Sequence, residues 1–305
     1  MKMCHTNGMT AVKDEFHTPV LLTEVLQYLN PSEGESYLDL TGGYGGHASK
    51  VLALTRNYKG SVLVDRDETA VKHLSERFKE TEVQIMHNDF CEAALELVEN
   101  GHKFDLILGD FGVSSVQLDT DSRGFSFSSE NNLDMRMDQS QILTAAAVVN
   151  RWGEKELSRV FEEYGEVRKG EAARVAQKIV HNRPIDTTTQ LAELILRAVG
   201  GGYRRRHPAT QYFQAIRIAV NDELRQIERT LELIPELLNK GGRVGLISFH
   251  SLEDRLVKNY FGNDARRGLE SQFKIVTKSP VTATRVEIDN NPRARSAKLR
   301  VAIKA

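Results

Sequence analysis

The run Asp39-Leu-Thr-Gly-Gly-Tyr-Gly-Gly-His47 carries the densest chemical signal in the 305-residue chain. Glycines at this density let a chain turn tightly and bring backbone N–H groups against a ligand at the start of a helix. A turn that merely needs positive φ produces the same letters, so the loop alone decides little. Two acidic residues add direction. Asp65 stands about 20 residues further on, at the end of the next apolar run, where a carboxylate accepts hydrogen bonds from ribose hydroxyls in nucleoside-binding sheets. Asp39 precedes the glycines at the tip of the first such run, a place where a pyrophosphate would be repelled. A carboxylate there suits a cationic ligand end, which fits the amino group and sulfonium of S-adenosylmethionine and not the diphosphate of NAD.

Two further strand ends carry weaker marks. Phe90 follows Asn88-Asp89, where it lies against an adenine or packs in the core. Asp110 closes Phe104–Asp110, where a methyl acceptor would approach. Methylation at pyrimidine C5 needs a nucleophile, generally a Cys thiolate. The two cysteines, Cys4 and Cys91, are not near Asp110 in sequence, which disfavours C5 chemistry. An exocyclic amine instead needs acceptors that hold its N–H groups and turn the nitrogen toward the methyl. Asp110 with the Phe111 carbonyl is the candidate pair; the alternative, that Asp110 binds the cofactor's methionine portion or caps a turn, stays open.

The elements that position these residues follow from hydrophobic periodicity. Strands are expected at 36–40, 61–65, 83–86 and 104–110, with helices at 47–55, 68–78 and 91–99 between them. This β-α-β-α order implies a parallel sheet covered on both faces. The rhythm then stops: residues 119–136 look like a loop, and helices at 142–152, 154–164, 170–181 and 188–199 follow with no strand between them. One long helix is expected at 209–238, then strands at 243–248, 272–278 and 297–303, the last two as an antiparallel edge. The fold class expected is α/β, a Rossmann-like class I methyltransferase sheet interrupted by an all-helical insertion. The expected division is 1–117 and 209–305 for the sheet domain, with 118–208 as the insertion that recognises substrate.

Composition bounds the setting. Hydrophobic residues make up 40% and charged residues 27%, values of an ordinary globular chain. No apolar run approaches the roughly 20 residues of a membrane helix, and Met1–Phe16 lacks the apolar core of a signal peptide. Two cysteines without metal spacing exclude a disulfide scaffold, point to a reducing cytoplasm and give no reason to expect a metal. A net charge of −1 leaves any nucleic-acid contact to local clusters. Tyr203-Arg-Arg-Arg-His207 is the densest, offering Arg204, Arg205 and Arg206 to phosphates and an aromatic to a base. Arg293, Arg295, Lys298 and Arg300 form a second, balanced between RNA contact and a solvated strand face. No obligate protein partner is called for.

Taken together, these runs resemble the bacterial ribosomal RNA small subunit methyltransferase H family, of the MraW type. The resemblance extends over nearly the whole chain, from His17-Thr-Pro-Val-Leu-Leu22 through the glycine loop and Val64-Asp-Arg-Asp67. It continues in Gly112-Val-Ser-Ser-Val-Gln-Leu-Asp119, Arg123-Gly-Phe-Ser-Phe127, Leu133-Asp-Met-Arg-Met-Asp138, Tyr164-Gly-Glu166 and His207-Pro-Ala-Thr210. It closes with Phe213-Gln-Ala-Ile-Arg217, Ile247-Ser-Phe-His-Ser-Leu-Glu-Asp-Arg255 and Asn291-Pro-Arg-Ala-Arg-Ser296. The resemblance implies methylation of a cytosine N4 in the decoding region of 16S rRNA, within free rRNA or the small ribosomal subunit. It implies cofactor contacts at Gly45, Gly46, His47, Asp65, Phe90, Asp110 and Gln117, beside the Asp39 read from charge. Leu40, Gly42, Tyr44 and Ala48 depart from the family pattern in the loop, as do Gly109, Phe111, Arg168-Lys-Gly170 and Gln211-Tyr212 elsewhere. The rival readings are an NAD-dependent oxidoreductase and a non-catalytic RNA-binding assembly factor.

Overall fold

The computed structural model describes residues 19–112, 123–200 and 207–305. The first strand β1 (Tyr37–Asp39) sits between β2 (Val62–Asp65) and β4 (Phe104–Asp110), all parallel. β3 (Gln84–His87) extends one side, and β5 (Leu238–Ser248) joins β4 in parallel on the other. β8 (Lys298–Lys304) then runs antiparallel to β5 and carries the short strands β6 (Phe273–Ile275) and β7 (Val281–Thr282). The order is β3-β2-β1-β4-β5-β8-β6, so the chain reverses its direction of travel across the sheet between β1 and β4. Open α/β sheets bind ligands at such a reversal, outside the carboxyl ends of the strands.

Helices cover both faces because each carries one apolar stripe. α1 (Leu22–Leu29), α2 (Gly46–Thr55) and α3 (Glu68–Arg77) bury Val25, Leu29, Val51, Leu52 and Leu74 on one face. α4 (Phe90–Glu99) lies on the other. Asp67 and Asp89 start α3 and α4 by accepting the free N–H groups of their first turns, at 2.9 Å from Thr69 N and from Cys91 N.

Among the described residues, four helices follow β4 before residue 200: α5 (Ala145–Arg151), α6 (Glu154–Glu163), α7 (Lys169–His181) and α8 (Thr188–Val199). They share an apolar cluster separate from the two flanking the sheet. The single helix expected over 209–238 is two. α9 (Ala209–Asn221) places Tyr212, Phe213, Ile216 and Val220 in the helical cluster. α10 (Glu223–Leu237) places Ile227, Leu231 and Ile234 on the sheet beside α4. Asp222, at φ 51°, turns the chain between them. Two apolar stripes that face different cores cannot share one straight axis, which is why continuous periodicity misled here. Among the described residues, three α-helices had no counterpart in the sequence expectation: α1 (Leu22–Leu29), α11 (Ser251–Ala265) and α12 (Arg285–Asn290). Among the described residues, no helix is long and apolar enough to cross a membrane.

Candidate active site

A cavity of about 340 Å³ opens at the carboxyl ends of β1, β2 and β4. The loop after β1 forms its floor. Gly42 N donates to Val64 O at 2.7 Å, and Gly45 N donates to Gly42 O at 2.8 Å, closing the turn that starts α2. Gly43 and Gly45 have φ of 52° and 77°, a region costly for residues with a Cβ. A Cβ on Gly42 would meet Leu74 Cδ1 at 3.0 Å and Val64 O at 3.3 Å. At position 42, a departure from the family pattern, a side chain would need Leu74 of α3 to give by a few tenths of an ångström. Leu40 is buried, and Tyr44 lies against His73 with ring centroids 5.0 Å apart.

Asp39 does not reach the cavity wall. Its carboxylate turns inward and accepts Tyr37 Oη–H at 2.8 Å and Thr41 N–H at 3.1 Å. Hydrogen bonds to its own strand and loop hold it there. Burial pushes its carboxyl up to about 6. Gly45 is also off the wall, with its missing side chain directed at Arg77 and Phe78 of the α3 end; its part is conformational. Gly46 and His47 do line the cavity. His47 Nε2 lies 2.9 Å from Val20 O, a pure acceptor, so that nitrogen carries the hydrogen. His47 Nδ1 then faces Asp110 Oδ2 at 3.9 Å.

Asp65 lines the cavity with both oxygens oriented by backbone amides, Gly43 N at 2.7 Å and Asp67 N at 2.8 Å. Each oxygen keeps a second lone pair for a ligand hydroxyl. Phe90 and Phe111 pack with centroids 5.5 Å apart and supply the apolar wall. Asp110 N donates to Thr41 Oγ1 at 2.6 Å, which ties the tip of β4 to the glycine loop. Asp110 Oδ1 is buried without a hydrogen-bond partner. Desolvation, then the charges of Asp39 and Glu253, raise the Asp110 carboxyl well above the usual range. Gln117, Arg204, Arg205 and Arg206 lie outside the described residues.

Several residues reach the site that periodicity did not single out. Arg217 and Glu223 pair across the α9–α10 turn, Nε to Oε1 and Nη2 to Oε2, both at 2.9 Å. Glu253 stands in the first turn of α11, its Oε2 accepting Phe249 N at 2.7 Å and His250 N at 3.3 Å. His250 returns the capping interaction through Nδ1. The signal in the sequence was His250-Ser-Leu-Glu253 directly after a strand, a reciprocal cap pattern. Glu223, His250 and Glu253 bring potential metal-ligand atoms within 4.8 Å of one another. Yet Arg217 occupies both Glu223 oxygens, and an Nδ1 that accepts leaves the ring hydrogen on Nε2. The cluster is a hydrogen-bonded charge network.

The helical unit is knitted to the β2 tip above the cavity. Arg123 donates to Asp67 Oδ2 at 3.0 Å and to the carbonyls of Arg136 and Met137 at 3.0 and 2.8 Å. Asn221 receives Met137 N at 2.8 Å and donates to Met135 O at 2.8 Å, so Met137, which lines the cavity, is fixed to the end of α9. Of the C-terminal basic residues, Arg293 lines the cavity and Arg295 is exposed nearby. Lys298 and Arg300 pair with Asp254 at 3.3 and 2.7 Å.

The donor set fits a cationic nucleoside. Asp110 and Glu253 line the cavity with Asp39 close behind, Arg217 of the wall is already paired with Glu223, and Asp65 with Phe90 offers the ribose and ring contacts. A negative diphosphate would meet these carboxylates at high cost, which sets aside the oxidoreductase reading. Comparison with known proteins agrees. The model of the MraW methylase family matches residues 14–305. A protein of Synechocystis named ribosomal RNA small subunit methyltransferase H is 46% identical over 304 residues, covering 97% of this chain and 95% of its own length. A Nostoc protein of the same name is 47% identical over 292 residues, covering 94% and 92%. The chain belongs to the MraW methylase family, S-adenosylmethionine-dependent methyltransferases whose cofactor suits the wall of this cavity.

Proposed function

We propose that this chain methylates the exocyclic N4 of a specific cytosine in the decoding region of 16S rRNA, in free rRNA or the small ribosomal subunit, in the cytoplasm. The observation that carries it is the sheet-end cavity lined by Asp110 and Glu253, each with a carboxylate oxygen that has no hydrogen-bond partner, and with no thiol in its wall among the described residues. Cys91 is buried in α4, where desolvation pushes its thiol up, so it supplies no nucleophile for C5 chemistry. The names carried by the relatives support an rRNA substrate.

S-adenosylmethionine, when bound, supplies an electrophilic methyl on a positively charged sulfur. The chain's residues do the rest by placement. Asp65 takes ribose hydroxyls, Phe90 and Phe111 flank the ring, and Asp110, unpaired and desolvated, balances the positive charge. Asp110 also stands where the amine must approach and takes one of its N–H groups. A buried acceptor of raised proton affinity suits that task, because the amine sheds a proton as its nitrogen bonds to carbon. The target base must leave its stack to reach a pocket this deep. Arg293 at the cavity rim and exposed Arg295 then bind the flanking phosphates, with Arg204–Arg206 assigned the same part. We place the substrate-recognition unit at 118–221, since α9 packs with the helical cluster.

The test is mass-spectrometric mapping of 16S rRNA from cells lacking the protein. Loss of one methyl from a decoding-region N4-methylated cytosine is expected; N4 sites unchanged from wild type would overturn the proposal.

A further inference from the structure

We infer that Glu253 holds one hydrogen of the target amine and makes the site select a 4-amino over a 4-oxo pyrimidine. This rests on the function proposed above and names the residue that enforces its base choice. Glu253 is fully buried, yet it lines the same cavity as Asp110. Its Oε2 is consumed by the α11 cap. Its Oε1 has no hydrogen-bond partner, although it stands 3.1 Å from His250 Nε2. A buried carboxylate oxygen left bare is costly, and native proteins keep one where function will supply a donor.

Asp110 at the tip of β4 and Glu253 in the first turn of α11 both line this cavity, and each keeps one buried carboxylate oxygen, Oδ1 and Oε1, without a hydrogen-bond partner. Their charges sense each other, since Glu253 raises the Asp110 carboxyl. An amino group has two N–H donors and needs two acceptors to turn its lone pair out of conjugation with the ring. Asp110 and Glu253 are those acceptors, which replaces the Asp110 and Phe111-carbonyl pair considered from sequence. As the nitrogen–methyl bond forms and the sulfur–methyl bond breaks, the amine's surplus proton passes to one of these carboxylates, and the other N–H remains held. Uracil offers an acceptor oxygen at position 4, which a carboxylate repels, so the same oxygen excludes it.

The test compares wild type with Glu253→Gln on small subunits purified from cells lacking the protein. Glutamine serves the reciprocal cap as glutamate does, so folding and affinity for S-adenosylmethionine hold, but an amide donor replaces the bare acceptor. A kcat lower by about 100-fold at unchanged KM for the cofactor is expected. Subunits with uracil at the target position, used as competitive inhibitors, give a readout that a purely structural cap does not move. Wild type rejects them, and the preference for cytosine shrinks by at least about tenfold in Glu253→Gln. Glu253→Asp, with a shorter carboxylate, keeps the preference and loses part of kcat. Wild-type turnover with undiminished preference in Glu253→Gln overturns the inference alone; a wild type that forms no N4-methylcytosine overturns the function it rests on.

Discussion

The cavity floor and the seam beneath the helical unit both bury charge, and they do so in opposite ways. At the seam, acids meet guanidinium groups: Asp67 with Arg123 at 3.0 Å, Glu223 with Arg217 at 2.9 Å. On the floor, Asp39, Asp65 and Asp110 carry raised carboxyls, desolvation being the largest cause in each. Completed electrostatics mark where the chain holds itself together. Incomplete electrostatics mark where a ligand finishes the structure, and a cationic cofactor followed by an amine donor finishes this one. Substitutions in the two places should therefore give opposite signatures.

The largest expected effect is on turnover at the floor. Asp110→Asn removes a charge that nothing in the chain neutralises, so the fold gains or keeps stability while kcat falls by about a thousandfold. Methyl transfer to undermethylated subunits and urea unfolding of the same preparation read the two quantities. Arg217→Met is the counterpart at the seam. It leaves Glu223 buried and unpaired, and the expected loss is about 3–5 kcal/mol of stability. If Asp110→Asn destabilises as strongly as Arg217→Met, the distinction between floor and seam fails.

The floor's raised carboxyls set the next effect. A group whose carboxyl is raised in the folded chain holds its proton more tightly there than when unfolded. Its stabilising contribution is full below the unfolded value, near 3.8, and is lost as pH rises through the folded value, about 6 for Asp39. The ligand-free protein should thus lose stability between those two values. A cationic cofactor favours the ionised forms, so binding releases protons and tightens with rising pH across the same window, by up to about tenfold per unit for each group. Titration calorimetry in two buffers of different ionisation enthalpy counts the protons. Affinity that falls from pH 5 to 7 would remove the electrostatic account of the floor.

How much of this could be read from residue order differs between the two regions for a physical reason. The floor is local: a strand, a glycine turn and an acid at the next strand end lie within Tyr37–Asp65, and their spacing exposes the geometry. Even there, charge indicated the ligand correctly but not which atoms touch it, because Asp39 reads the same whether it faces out or back toward Tyr37. The seam is built from partners far apart, Arg123 with Asp67 and Asn221 with Met135, and no spacing rule pairs them. The break at Asp222 was hidden because each half of 209–238 is amphipathic and only the direction of its apolar stripe changes. Glu253 was quoted within Ile247–Arg255 without a role, since a capping glutamate and an acceptor glutamate share one letter.

The smallest expected effect lies at the seam's outer rim. Glu166, held at φ 49° between α6 and α7, accepts from Ser251 Oγ and from Arg255 Nη2 at 2.7 Å, and so ties the helical unit to the start of α11. The bond from Ser251, then that from Arg255, holds its carboxyl below the usual range. The stability it adds is therefore present at neutral pH and is lost as pH falls through the folded value. Arg255 is 56% exposed and Glu166 38%, so water and salt screen the pair, and Glu166→Gln should cost less than about 1 kcal/mol. Arg217–Glu223, with 18% and 7% exposure, has no such screening. Urea midpoints of Glu166→Gln and Arg217→Met at low and high salt set the two side by side. The rim variant's small deficit should vanish in high salt and the buried variant's should persist. Equal, salt-sensitive losses would mean that exposed contacts, rather than the buried pairs, hold the helical unit over the cavity.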